Sequence, residues 1–219
     1  MSNESLPIKN SRREPRWPAI LAVLGIGGLY LLLPERLTAG PNWLLPVVIA
    51  MLLVPTVASY RMGRSRMNFA FGLSLSVITT LAVILSLVNL IAGLPGKRET
   101  PTELLRAAVA LWLSNILVFA SWYWRLDAGG PHRRDLRPSH TGGAFLFPQM
   151  VLPHHSKLID SSWKPGFVDY LFLAFNTSTA FSPTDVPVLS PWAKLLMMVQ
   201  SCISLSTIAI LAARAINIL

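Results

Sequence analysis

Between Asn176 and Asp185 the chain collects Thr177, Ser178, Thr179, Ser182, Thr184 and Asp185, a run of hydroxyls closed by a carboxylate. Such oxygens, with nearby backbone carbonyls, can replace the hydration shell of a cation, and a ring of acids selects for cations. A blander use of the same residues is local: the hydroxyls satisfy backbone groups in a packed loop, and Asp185 caps a turn. Other chemistry-bearing residues offer less. His132, His140, His154 and His155 lack the helical i, i+4 spacing of a metal pair and have no cysteine partners, so a solvated loop is expected and no metal site. Asp127, Asp135 and Asp160 could act as general acids, but no nucleophile is paired with a base, and no enzyme is expected. The single cysteine, Cys202, cannot form an intrachain disulfide. Asn89, Asn115 and Gln200 interrupt apolar runs, where interhelical hydrogen bonds are their ordinary use.

The elements that must position this run are set by hydropathy. Charged residues make up 13% of the 219, about half the share of a soluble domain, and mean hydropathy is +0.51. The charges fall between apolar runs, the pattern of a polytopic membrane protein that leaves no room for a separate soluble domain. Residues 1–16 read as a basic tail and 17–94 as a three-helix region with spans at 17–33, 42–59 and 68–94. A fourth span covers 104–124, a hydrophilic connection 126–165, and a last helix 192–217, opened by Ser190 as N-cap and Pro191 as first helical residue. Pro46 and Pro55 lie inside the second span, where membrane helices accept them as kinks.

The apolar segment 167–177 is different. Roughly ten residues are half of what a ~30 Å hydrocarbon core requires. Irregular polar backbone, expected over 178–185, survives at membrane depth only where protein shelters it or water reaches it. A re-entrant half-helix is therefore expected, and the fold class is all-α with about five transmembrane helices around it. Ala209 and Ala213, four apart on the last helix, provide a small-residue contact for helix packing.

The net charge of +9 does not imply nucleic acid, because the basic residues cluster beside apolar spans and no recognition module accompanies them. Anionic headgroups and the positive-inside bias account for them. With five spans, 14 of the 19 Lys and Arg side chains fall on the side of the N-terminal tail, which places that tail in the cytoplasm.

Residues 104–219 resemble the pore module of the two-transmembrane potassium channels, in which an outer helix is followed by a pore helix, a Thr-Val-Gly-Tyr-Gly-Asp filter, a turn and an inner helix. Thr179-Ala-Phe-Ser-Pro-Thr-Asp185 occupies the filter position, Ser190-Pro-Trp-Ala-Lys194 looks like the turn into the inner helix, and Ala209 to Arg214 like the end of that helix. The likeness is close over about the last 50 residues. The same stretch also resembles small bacterial multipass membrane proteins of unassigned function with a similarly degenerate filter. The resemblance implies a homo-oligomer, a tetramer by analogy, in a bacterial inner membrane, with Thr177, Ser178, Thr179, Phe181, Ser182, Pro183, Thr184 and Asp185 at the pathway and monovalent cations as its passengers. It implies no cofactor.

The filter itself departs from that pattern. A potassium filter needs positive φ at its two glycines. Here Ser182 and Thr184 hold those places, and Pro183 replaces the tyrosine. Proline fixes φ near −65° and drives the preceding residue extended, while a β-branched threonine resists positive φ. The expected function is thus a poorly selective cation pathway, with a non-conducting accessory or regulatory subunit, or a transporter element, as the alternative. A potassium-channel pore loop also enters from outside, opposite to the side that charge assigns here.

Overall fold

The computed structural model describes residues 14–94, 100–137, 139–140, 142–151, 163–179 and 186–216, the last three without their side chains. Eight α-helices form among them: α1 (Trp17–Leu31), α2 (Leu44–Arg61), α3 (Ser65–Gly93), α4 (Pro101–Leu126), α5 (Pro131–Asp135), α6 (Pro148–Val151), α7 (Phe167–Thr179) and α8 (Pro191–Ile216). No strand forms among the described residues beyond an isolated antiparallel bridge between Phe145 and Val188. The protein is an all-α polytopic membrane protein.

Four helices, α2, α3, α4 and α8, are long and apolar enough to cross a bilayer. The first expected span is shorter: α1 is apolar but has 15 residues, about 22 Å at ~1.5 Å per residue. Pro34 limits it, since a residue preceding proline is pushed out of helical geometry. Helix α3, with 29 residues, exceeds a ~30 Å core and is long enough to cross it tilted. Helix α4 starts with a capping box, in which Thr100 and Glu103 satisfy each other's backbone N–H groups ahead of Pro101.

Large apolar side chains point outward around the bundle. Met51 is 69% exposed, Val54 70% and Leu81 61%, which water would penalise and lipid accommodates. Helix α4 is the central element, with Ala107, Ala108, Leu111, Asn115, Phe119 and Tyr123 fully buried against α1, α3, α7 and α8. Small side chains early in α4 let its neighbours approach closely.

The long helices alternate in direction. At one end, Arg16 before α1 stacks 5.5 Å over Tyr60 of α2, and Asn68 of α3 donates to the carbonyl of Thr56. At the other end, Asn89 of α3 reaches the carbonyl of Leu37, and Tyr30 accepts from the backbone of Ala39. Helix α4 returns to the first end, tied to α3 by a 2.8 Å bond from Trp122 to Thr80.

There the connection folds into a cap. After α4 the chain reverses through Ala128, Gly129 and Gly130, whose φ angles are +52°, +82° and +90°. Glycine tolerates that region, and a Cβ on Gly130 would lie 2.8 Å from the carbonyl of Arg125. The cap core is aromatic: Phe145 and Phe147 pack edge-on to Tyr170, with Tyr123, Trp163 and Trp192 around them.

Candidate functional site

Helix α7 starts at the cap and descends along α4. Phe167 meets Trp124 at 5.8 Å between ring centroids, near the end of α4, while Phe175 meets Trp112 at 6.0 Å, twelve residues earlier on the same helix. Twelve helical residues correspond to about 18 Å. The C-terminal turn of α7 is held by Gln200, nine residues into α8, or about 14 Å from its start. By Val188 the chain is back at the cap, bridged to Phe145, with backbone bonds from Leu146 to Pro187 and from Leu189 to Ala144. Entry and exit thus lie at the same end of the bundle, and the tip reaches the middle of α4 and α8.

Gln200 is the bolt of this arrangement. It is fully buried and uses its whole amide: Tyr123 donates to its Oε1 at 2.5 Å, and its Nε2 donates to the Ala174 carbonyl at 2.6 Å and to Ser178 Oγ at 2.8 Å. Ser204 Oγ donates to the Ser178 carbonyl at 2.6 Å, and Asn115 Nδ2 to the Gln200 carbonyl at 3.1 Å. Burial in an apolar medium makes an unpaired polar group costly, so the network ties α4, α7 and α8 together. The polar types of Asn115 and Gln200 within apolar runs signalled such bonds. Tyr123 and Ser204 carried no comparable signal.

The residues expected at the pathway do not share one surface of α7. Ser178 is buried against α8. Thr177 is half-buried and its hydroxyl donates to Leu173 at 2.8 Å, while Thr179 is exposed and donates to Phe175 at 2.9 Å. Helix α7 extends through these three residues rather than ending at Thr177: Thr177 and Thr179 bond carbonyls one turn back, and Ser178 is held by Gln200 and Ser204 of α8. Phe181, Ser182, Pro183, Thr184 and Asp185 lie outside the described residues. Ala209 and Ala213 are both exposed, on the side of α8 away from its buried stripe of Ala193, Gln200, Ile203, Ser204, Thr207 and Ile210.

The cap fixes the base of α7 electrostatically. Asp127 is fully buried; it accepts from the Ala144 N–H and from the Tyr170 hydroxyl, each at 2.6 Å, and faces His140 Nε2 at 3.6 Å. Arg134, also buried, donates to the carbonyls of Trp124 and Asp127 at 2.8 and 2.9 Å and to Glu14 at 3.3 Å, and lies 5.0 Å over the Tyr170 ring. Glu14 further accepts from Trp124 and from Arg16, which also pairs with Asp135. Burial holds the imidazole of His140 below its ordinary pKa; Arg134 and Arg137 push the same way, and Asp127 opposes them.

His140 is therefore a buried cap residue rather than part of a solvated loop, whereas His132 is exposed; His154, His155 and Asp160 lie outside the described residues. The signal for a folded cap was the apolar Ala144-Phe-Leu-Phe147 inside a hydrophilic stretch, which needs aromatic neighbours to bury it. No family model, curated protein or solved structure matches this chain.

Proposed function

We propose that this chain is one subunit of an oligomeric membrane assembly whose α4–α7–α8 module lines a poorly selective pathway for small cations. One observation carries the proposal: α7 and the chain after it enter and leave at the cap end, while the α7 tip is bolted beside the middle of two membrane-crossing helices. That is the geometry of a re-entrant half-helix. Its C-terminal carbonyls carry the negative end of the helix dipole, which favours a cation at mid-depth. The order outer helix, half-helix, inner helix matches the pore modules that the sequence resembles. The outward face of α8, with Ala209 and Ala213, supplies the contact between subunits, four by resemblance. Five spans assign 14 of the 19 Lys and Arg positions in the sequence to the side of the N-terminal tail, which argues for a cytoplasmic cap; the bacterial inner membrane follows from the resemblance, and the half-helix would then enter from within, unlike the potassium-channel loop. That inversion, with the absent filter glycines, argues for a pathway without potassium selectivity.

The test is cation flux into liposomes holding the purified oligomer. Flux that falls in Asp185→Asn with the oligomer intact supports the pathway; an intact oligomer that carries none refutes it. A second reading, a non-conducting accessory or regulatory subunit or a transporter element, is favoured by the internal use of the hydroxyls of Thr177, Ser178 and Thr179. It predicts the second result.

A further inference from the structure

Arg125, in the last turn of α4, is a buried charge to which neither the cap nor the half-helix assigns a task. The residue is 7% exposed, and no ion pair among the described residues includes it. Among the described residues its Nε has no hydrogen-bond partner, its Nη1 makes one long 3.5 Å bond to the carbonyl of Asn68, and the guanidinium lies 5.5 Å from the Trp124 ring. The helix dipole at this end favours a cation, but by less than an unpaired buried charge costs. The place is nevertheless built for it. Gly72 of α3 faces the guanidinium, and a Cβ there would lie 1.8 Å from Nη1.

Arg125 forms the common wall of two cavities. One, of about 190 Å³, opens between α1, α2, α3 and α4; its walls include Ile20, Val23, Leu53 and Leu75, and its polar rim carries Arg61, the neutral Asn68 and Ser121, and Arg16, which is already paired with Glu14 and Asp135. The other, of about 540 Å³, lies under the cap turn and adds Arg66 and Arg133. Among the described residues, no Asp or Glu lines either cavity. A pocket whose charged lining among the described residues is arginine alone, with neutral polar groups beside it and an apolar slot, at the end of membrane-crossing helices, suits a ligand that is anionic at one end and aliphatic at the other.

We propose that this is a binding site for an anionic phospholipid, with the phosphate on Arg125 and the start of an acyl chain in the slot between α1 and α2. A guanidinium suits phosphate because it donates in a planar fork, which an ammonium cannot. The assignment is independent of whether the assembly conducts.

The test uses the full-length protein in nanodiscs of phosphatidylcholine with or without phosphatidylglycerol, reading lipid affinity by native mass spectrometry and the unfolding midpoint by temperature ramp. Phosphatidylglycerol is expected to bind selectively and raise the midpoint. Arg125→Gln is expected to weaken that binding by at least about 30-fold, as for one partner of a buried charge pair. The exposed rim variant Arg61→Gln, which leaves the core untouched, is expected to weaken it about fivefold. The proposal is overturned if both lipids bind equally, if Arg125→Gln retains the preference, or if Arg125→Gln fails to fold and Arg61→Gln binds as tightly as the natural chain. Inorganic phosphate added to phosphatidylcholine discs separates the sources: full stabilisation by phosphate alone would overturn the lipid assignment.

Discussion

Replacing Gln200 by leucine removes three side-chain hydrogen bonds at one position while filling nearly the same space. The amide joins Tyr123 of α4 to Ala174 and Ser178 of α7. The Asn115 bond uses the Gln200 carbonyl and survives the substitution. Interhelical hydrogen bonds in a membrane average about 0.6 kcal/mol each, so three come to about 2 kcal/mol. The phenol of Tyr123 is left buried without its acceptor, which sets that figure as a lower bound. The loss falls on the tip of α7, because its base is independently held by Asp127, Arg134 and the aromatic cap. A change of about 2 kcal/mol in local opening corresponds to about 30-fold in exchange rate. Hydrogen exchange by mass spectrometry in nanodiscs should therefore show peptides over 170–179 exchanging about 30-fold faster in Gln200→Leu, with the central turns of α4 unchanged. Gln200→Glu, protonated in this setting, keeps the acceptor and donates once rather than twice, so it should fall between. Unchanged protection over 170–179 in a folded Gln200→Leu protein would refute the reasoning.

Two predictions concern the cap. The pKa of His140 is held below its ordinary value of 6.5, chiefly by burial, so below about pH 6.5 the unfolded form binds the extra proton and the folded form does not. The stability that His140 contributes is thus complete above that pH and is lost progressively as pH falls towards its folded pKa; cap protection in hydrogen exchange should decline on acidification, and His140→Phe, which fits beside Phe147 and Trp163, should flatten the profile. Gly143→Ala should loosen the cap by about 1–3 kcal/mol, because the new Cβ would sit 2.5 Å from Asp127 Oδ1; faster limited proteolysis over 142–151 is the readout, and unchanged cleavage would contradict the packing.

Sequence alone determined the membrane class and the approximate places of the helices. Those properties are local: an apolar run of a given length, ended by proline, glycine or charge, needs no knowledge of its neighbours to be recognised. The short length of the segment before Thr177 likewise announced something other than a full crossing, and Asn115 and Gln200 announced interhelical bonds. Only the tertiary structure chose the partners. Glu14 meets Arg134 across 120 residues, and Tyr123 meets Gln200 across 77. Charge pairing is non-directional along the sequence, and any of several carboxylates would have satisfied Arg134 equally well on composition. Which one does is decided by the alternation of the helices, which brings the start of α1 and the end of α4 to one end of the bundle. The same geometry leaves Arg125, an ordinary interfacial arginine in the sequence, walled in beside Gly72 with two cavities that no carboxylate among the described residues lines, a consequence of packing that no local pattern encodes.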